Sequence, residues 1–161
     1  MLTTLGREEA FEGRRFAAVA AEGIVYAVMM RFVAAYVVGA LPLAAAPALG
    51  SRGAAIVMSL GAGFYEELVF RVLLFGLGAW VVRWLWDGQG RVVALVLWVL
   101  LAAAMFSGWH YVGEMGDVWN TRTFVFRWVC GIIFTVIFVF RGFAPAVWTH
   151  ALYDVWVLAL G

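Results

Sequence analysis

The chain has 161 residues, of which 66% are hydrophobic and 13% are charged, and its formal net charge is +1. A soluble domain carries about 25% charged residues, so the composition predicts an integral membrane protein with a single transmembrane domain over residues 1–161. No basic patch stands out, which argues against a nucleic-acid partner. The single cysteine, Cys130, excludes an intramolecular disulfide and a metal cluster held by cysteines.

The order of apolar and polar stretches predicts an N-terminal interfacial helix followed by about five transmembrane helices. Residues 1–23 mix arginine and glutamate with phenylalanine, a pattern typical of an amphipathic helix at the membrane surface. At ~1.5 Å per residue, the first apolar run is long enough to cross a ~30 Å hydrocarbon core. The predicted spans are 24–46, 52–84, 92–112, 123–140 and 143–160. The expected fold class is therefore an all-α, polytopic transmembrane helical bundle.

The arginines are distributed unevenly between the two ends of this bundle. The end with the N-terminus holds Arg7, Arg14, Arg15, Arg83, Arg91 and Arg141. The other end holds Arg52 and Arg122, with Arg127 near the start of the fourth span. Because loops rich in arginine stay in the cytoplasm, we expect the N-terminus to be cytoplasmic.

Two adjacent carboxylates and an arginine interrupt the second span, at Glu66, Glu67 and Arg71. Each ionisable group inside a membrane costs several kcal/mol unless it is paired or faces a wet cavity. Glu67 and Arg71 are four residues apart and can pair on one helical face. Glu66 lies ~100° around the helix and does not share the face of that pair. Because Arg71 does not hold it, Glu66 is a candidate general base. The open alternative is a structural ion-pair network between helices.

The two histidines lie in other spans. His110 follows Phe106 by four residues and His150 precedes Asp154 by four, so each pair shares a helical face. Convergence of these side chains on Glu66 would form a polar pocket. One carboxylate and two histidines also occur in catalytic zinc sites, but the two-histidine spacing of common zinc proteases is absent. The residues therefore permit a zinc ion held by Glu66, His110 and His150 without requiring one.

The depth of the two histidines conflicts with the predicted boundaries. His110 lies ~27 Å along its helix from residue 92, and His150 lies ~10 Å from residue 143, although both helices start on the same side. Either the starts and tilts of the helices differ, or the fifth span begins at another depth.

Three motifs occur in order, one on each of three spans: Glu66-Glu67-x-x-x-Arg71, Phe106-x-x-x-His110 and His150-x-x-x-Asp154. Together they resemble the motifs of the CPBP family, intramembrane proteases that include CAAX prenyl endopeptidases and bacteriocin self-immunity proteins. The resemblance covers about residues 51–156. One departure is Asp154, where many members carry Asn, and another is length, because eukaryotic members have more spans.

The resemblance implies a glutamate-dependent, metal-independent intramembrane endopeptidase, so we expect no cofactor, with zinc as the open alternative. Glu66 would activate a water for attack on a peptide carbonyl, and His110 would hold that water. His150 and Asp154 would stabilise the oxyanion, which requires Asp154 to be protonated or to act through His150. The residues that the resemblance marks as supporting are Glu67, Arg71 and Phe106.

The implied partner is a membrane-anchored protein or peptide within the lipid bilayer. A small, bacterial-looking core favours C-terminal anchor or sorting-signal processing, or an immunity role, over prenyl-protein processing, and predicts a location in the bacterial inner membrane. The main rival is a non-catalytic bacteriocin-immunity or scaffold protein that uses the polar cluster structurally. A transporter or proton relay is a third reading, which the lack of inverted repeats disfavours. The oligomeric state stays open.

Overall fold

The computed structural model describes residues 12–39, 51–114 and 116–160, and most of these residues are helical. The helices are α1 (Gly13–Val38), α2 (Arg52–Leu85), α3 (Gly88–Trp109), α4 (Thr121–Arg141) and α5 (Phe143–Val155), and a π-helical turn, Trp156–Leu160, continues α5. No strand occurs within the described ranges. The predicted all-α polytopic bundle is confirmed.

Four helices, α1 to α4, are long and apolar enough to cross a membrane. The fifth predicted span is shorter as a regular helix, because α5 has 13 residues before its π-helical continuation. The boundary expected near residue 23 is not seen, since α1 runs without a break from Gly13 to Val38. The rest of the predicted interfacial helix, residues 1–11, lies outside the described residues.

Polar side chains cap the starts of α2 and α4, which lie at the same end of the bundle. Ser51, directly before α2, accepts a hydrogen bond from the backbone N–H of Ala54 at 3.2 Å. Asn120 accepts one from the backbone N–H of Thr123 at 3.1 Å. Both caps pair backbone donors that the first turn of a helix leaves without partners.

The middle of α2 departs from α-helical hydrogen bonding. Regular helix over Arg52–Glu67 changes to π-helix over Leu68–Gly76 and returns over Leu77–Leu85. The length of this span and its glycines at 61 and 63 predict a tilt, a kink near these glycines, or emergence from the bilayer. The irregularity begins instead directly after the paired carboxylates. π-Helical segments inside α-helices often accompany functional sites, and this one carries the buried Arg71.

Two glycines allow α5 to pack closely against α1 and α2. A Cβ atom on Gly23 would lie 2.8 Å from Cβ of Trp148, and one on Gly63 would lie 2.8 Å from the backbone nitrogen of Ala151. Small residues at such crossings let helix backbones approach each other in membranes. The crossing at Gly63 brings the residue before Ala151, His150, against the part of α2 that carries the acidic pair.

Aromatic side chains fill the centre of the bundle. The buried cluster includes Met30, Phe70, Phe106, Phe126 and Phe134. Many large apolar side chains on the outer faces of α1 to α4 are exposed. Extended apolar surfaces of this kind mark contacts with a partner or a membrane, and here they suit contact with lipid. The chain is thus an integral membrane protein whose core is aromatic.

Unequal helix starts explain much of the conflict over histidine depth. The indole N–H of Trp98 donates to the carbonyl of Phe75 at 3.3 Å, and the Phe75 ring packs edge-on against Phe138 at 6.3 Å. Trp98 and Phe138 therefore mark one level of the bundle. From Trp98 back to the start of α3 is about ten residues, ~15 Å, whereas from Phe138 to the end of α4, where α5 begins, is about three residues, ~5 Å. Helix α3 therefore starts ~10 Å further out than α5. The His110 ring also turns back toward Phe106, one helical turn earlier.

Candidate active site

Glu66 lies at the end of the regular part of α2 and faces both histidines. Its Oε2 atom is 3.8 Å from Nε2 of His110 and 3.9 Å from Nε2 of His150. Both distances are too long for direct hydrogen bonds. The Glu66 side chain is 17% exposed, and Oε2 has no hydrogen-bond partner among the described residues. One carboxylate oxygen therefore lies unpaired between two imidazole rings.

Glu67 lies in a second, fully buried group of charges, which we call the buried ion network: Glu67, Arg71 and His150. Glu67 Oε2 is 3.0 Å from Nε of Arg71, and Glu67 Oε1 is 2.8 Å from Nδ1 of His150. The pairing of Glu67 with Arg71 follows from their spacing, whereas the contact with His150 was not predicted. The two adjacent glutamates thus lie near opposite nitrogens of one imidazole.

Arg71 is held on all sides by the core. Its Nη2 donates to the carbonyl of Gly131 at 3.4 Å, and its guanidinium carbon lies 4.4 Å and 5.0 Å from the ring centroids of Phe106 and Phe134. The side chain is 1% exposed. Cation–π contacts of this kind are attractive where water is excluded. Arg71 therefore balances the charge of Glu67 from a position that lies away from the solvent.

The His110 ring is oriented by the turn before it. Nδ1 lies 3.0 Å from the carbonyl oxygen of Phe106, and the two rings pack edge to face at 5.2 Å. Because a carbonyl only accepts, Nδ1 carries the proton in this contact. In the neutral ring, Nε2 is then an acceptor directed toward Glu66. Phe106, predicted as a supporting residue, thus orients His110 through both its backbone and its side chain.

His150 is the point at which the two sets of charges meet. Its ring stacks on Phe134 at 4.6 Å between centroids with an interplanar angle of 22°. Nε2 lies 3.5 Å from Oδ2 of Asp154 on the next turn of α5. Since Nδ1 contacts Glu67 and Nε2 faces Glu66, the imidazole is surrounded by three carboxylates. Each ring nitrogen of His150 therefore faces at least one carboxylate oxygen.

A cavity of about 630 Å³ opens over these side chains. All four residues predicted as catalytic line it: Glu66, His110, His150 and Asp154. Its remaining wall includes apolar side chains from α1 and from the end of α5, together with the loop that follows His110. Glu67 and Arg71 are not part of this wall. The cavity therefore reaches both histidines but not the full buried ion network.

The described residues hold no group of three or more His, Cys, Asp or Glu side chains arranged to bind a metal ion. The three residues considered as zinc ligands, Glu66, His110 and His150, are neighbours. Glu66 Oε2 lies 3.8 Å from Nε2 of His110 and 3.9 Å from Nε2 of His150. The expectation of a metal-independent site stays a prediction.

Two cavity residues had no assigned role in the sequence. Arg127 and Asp117 line the cavity and form an ion pair, with Nη2 of the arginine 2.5 Å from Oδ2 of the aspartate. The sequence places Arg127 near the start of the fourth span and predicts no role for it in the site. Arg127 lies about two turns inside an apolar helix, where an unpaired charge is costly. This position could have indicated that the arginine belongs to a polar site. Phe134, which stacks on His150, had no signal because phenylalanine is common in apolar spans.

Comparison with known proteins finds a family model that matches most of the chain. Residues 48–156 match the family described as type II CAAX prenyl endopeptidase, Rce1-like. No curated protein and no solved structure matches the chain. The matched range contains α2 to α5 and all three motifs.

Proposed function

Because the chain belongs to the Rce1-like family of type II CAAX prenyl endopeptidases, we propose that it hydrolyses a peptide bond in a membrane-anchored protein or peptide, with Glu66 as the general base. At the level of the family the chain is an intramembrane endopeptidase, and thus a hydrolase. The observation that carries the residue assignment is the convergence of Glu66 Oε2 on the Nε2 atoms of both histidines, at 3.8 Å and 3.9 Å.

Glu66 and His110 together suit the activation of one water molecule. A water molecule can bridge the 3.8 Å between Glu66 Oε2 and His110 Nε2 at ordinary hydrogen-bond distances. It donates one hydrogen bond to each of these two acceptors. As its oxygen attacks the peptide carbonyl carbon, Glu66 takes a proton. The C–N bond then breaks, and Glu66 returns that proton to the leaving amine nitrogen.

His150 suits the stabilisation of the oxyanion. As an imidazolium it donates Nδ1–H to Glu67 and leaves Nε2–H for the negative oxygen of the tetrahedral intermediate. Asp154, 3.5 Å from the same Nε2, then acts through His150 and has no need to touch the oxyanion. This role removes the repulsion that a direct contact between Asp154 and an oxyanion would cause.

Glu67 and Arg71 are positioning residues in this proposal. Glu67 holds Nδ1 of His150 at 2.8 Å, and Arg71 supplies the compensating charge. Groups positioned before the reaction lower the barrier because they need no reorganisation as charge develops.

The proposed substrate is attached to the membrane at its C-terminal region, as in C-terminal anchor or sorting-signal processing. The lipid bilayer surrounds the site, and the apolar part of the cavity wall, including Met30, Val157 and Leu158, suits a lipid chain or an apolar segment. We propose a location in the bacterial inner membrane with a cytoplasmic N-terminus, on the basis of the arginine distribution.

Glu66→Gln tests the proposal directly. The exchange keeps the size of the side chain but removes the base, so hydrolysis should fall at least ~100-fold, while the unfolding temperature stays close to that of the wild type. Glu114→Gln, which changes an exposed carboxylate, is the matched control and should keep full activity. His110→Ala should also lose activity.

Several outcomes would contradict this mechanism. Folded Glu66→Gln protein that cleaves at the wild-type rate would exclude Glu66 as the base. A variant that only loses stability would support the non-catalytic immunity or scaffold alternative. Activity lost in strong chelators and restored specifically by zinc would overturn metal independence. Proteomics of a deletion strain, searching for an uncleaved C-terminal region, identifies the natural substrate.

A further inference from the structure

The cavity over Glu66 opens toward one end of the bundle. Helices α2 and α4 begin at that end, and their described lining residues extend inward as far as Glu66 and Phe134. Helix α5 runs the other way, and its lining residues begin at His150. Val118, in the loop between α3 and α4, also lines the cavity and is 92% exposed. The opening at this loop, which we call the mouth, therefore lies at the end where α2 and α4 begin.

Packed side chains close the opposite side of His150. Glu67, which follows Glu66 on α2, is fully buried. Ala146 and Thr149, which precede His150 on α5, are fully buried as well. Protein interiors packed in this way leave few voids larger than a water molecule. Within the described residues, a peptide therefore reaches Glu66 through the mouth and not through the core behind His150.

The arginines at the helix ends indicate which end of the bundle faces the cytoplasm. Away from the mouth lie the arginines of the first turn of α1, of the turn between α2 and α3, and of the end of α4: Arg14, Arg15, Arg83, Arg91 and Arg141. The end with the mouth holds Arg52, Arg122 and the cavity-lining Arg127. Arginine-rich ends stay in the cytoplasm, and neighbouring carboxylates contribute little to this bias. The mouth is therefore at the extracytoplasmic end.

We propose that the active-site cavity opens at the extracytoplasmic face of the membrane, so that the protein cleaves a segment that has already been exported. The inference rests on the proposed function and on the cytoplasmic N-terminus. The packed core separates Glu66 from a peptide bond on the cytoplasmic side, and polar peptide groups are costly to bury in hydrocarbon. A peptide bond on the outer side reaches Glu66 through the mouth. Translocation of the substrate across the membrane therefore precedes its cleavage.

Labelling of single cysteines from each side of the membrane tests the orientation. Cys130→Ala removes the only cysteine of the chain and is the background for all variants. Val118→Cys places a thiol at the mouth, and Gln89→Cys places one at the exposed start of α3, at the opposite end. A charged maleimide does not cross the hydrocarbon core, so it should label Val118→Cys in intact spheroplasts. It should label Gln89→Cys only after the membrane is permeabilised.

A second pair of variants tests the direction in which the cavity opens. Ala62 lines the cavity about one helical turn before Glu66, whereas Leu60 lies ~200° around the same helix and is exposed on its outer face. Thiol reagents attack the thiolate, which an apolar environment disfavours. A small charged methanethiosulfonate should therefore modify Ala62→Cys in intact spheroplasts but not from the cytoplasmic side, in inverted vesicles. Leu60→Cys, in contact with lipid, is the matched control and should react from neither side.

The location of the substrate gives a measurement that needs no change near the site. In a strain that carries Glu66→Gln, the uncleaved substrate should accumulate with its cleavage site on the outer side. Protease added to intact spheroplasts should then cut the substrate at this segment. Protection of the segment until the cells are lysed would contradict export before cleavage.

Modification of Ala62→Cys from the cytoplasmic side alone would overturn the inference. Labelling of Gln89→Cys in intact spheroplasts, with or without Val118→Cys, would also overturn it, because the chain would then not have the single orientation that the arginines predict. These results are distinguishable from failure of the proposed function. Hydrolysis that depends on Glu66 in a cavity reached only from the cytoplasm leaves the function standing, whereas a cavity reached from outside without hydrolysis leaves only the orientation standing.

Discussion

Glu66 and Glu67 are neighbours in the chain but lie in regions with opposite properties. Glu67 belongs to the buried ion network, where Arg71 and His150 contact it at 3.0 Å and 2.8 Å. Glu66 faces the cavity, and its Oε2 lies 3.8 Å and 3.9 Å from the facing nitrogens of the two histidines. A carboxylate held by an arginine and a histidine in the core serves stability and position, whereas one beside a cavity with no contact that close is free to take a proton. Two consecutive residues thus have different roles: Glu67 supports the structure, and Glu66 is available for chemistry.

The largest effect on stability is expected from Arg71→Met. Removing the arginine leaves the carboxylate of Glu67 buried without its compensating charge, and breaking such a pair costs about 3–5 kcal/mol of unfolding free energy. Thermal unfolding in detergent, followed by circular dichroism, measures the change. Arg83→Met, on the exposed part of the same helix, is the control. If the two variants unfold alike, the buried ion network does not stabilise the fold, and the comparison with Glu66 loses its basis.

A smaller effect is expected from Gly63→Ala at the crossing of α2 and α5. The new Cβ would lie 2.8 Å from the backbone nitrogen of Ala151, so α5 has to shift, and overpacking of this kind costs about 1–3 kcal/mol. The shift moves His150 relative to both glutamates, so activity should fall as well.

Gly61→Ala is the matched control for that crossing. Apart from the backbone of its own helix and its chain neighbours, no described atom lies within 4 Å of a Cβ at this position, and alanine favours a helix over glycine by up to ~1 kcal/mol. The unfolding temperature should therefore stay the same or rise. Equal behaviour of the two alanine variants would show that close contact at Gly63 does not position α5.

The smallest effect is expected from Phe134→Leu. Loss of the ring that stacks on His150 at 4.6 Å should cost about 1 kcal/mol beyond the lost buried area. Because the imidazole is then less constrained, we expect a several-fold fall in kcat with little change in KM. Phe140→Leu, an exposed phenylalanine on the same helix, should change neither. A rise in KM alone would assign Phe134 to substrate binding and not to the orientation of His150.

Local geometry accounts for what could be predicted from the sequence. The helices begin and end within a few residues of the predicted spans 52–84, 92–112 and 123–140, because apolar runs of that length have few alternatives in a membrane. The pair Glu67–Arg71 and the contact of His110 with Phe106 follow from a spacing of four residues on one helix. The cap at Ser51 likewise depends only on neighbouring residues.

Two features of the helices could not be predicted from local patterns in the sequence. Helix α1 continues through residue 23, the end expected for the N-terminal interfacial segment, because charged residues near a helix end need not interrupt the helix. The interfacial position of this segment stays a prediction. The π-helical segment of α2 was also missed, since no residue type specifies it. The roles of the four cavity residues named as catalytic stay predictions until their variants are measured.

The sequence by itself determined the membrane-spanning helical architecture, the family and the side chains available for chemistry, because these depend on composition, periodicity and spacing along single helices. Only the tertiary structure decided that both glutamates lie beside one histidine and that Arg127 shares the cavity with Glu66. These contacts join residues that are dozens of positions apart. They depend on unequal helix starts and on the close approach at Gly63, neither of which a one-dimensional pattern contains.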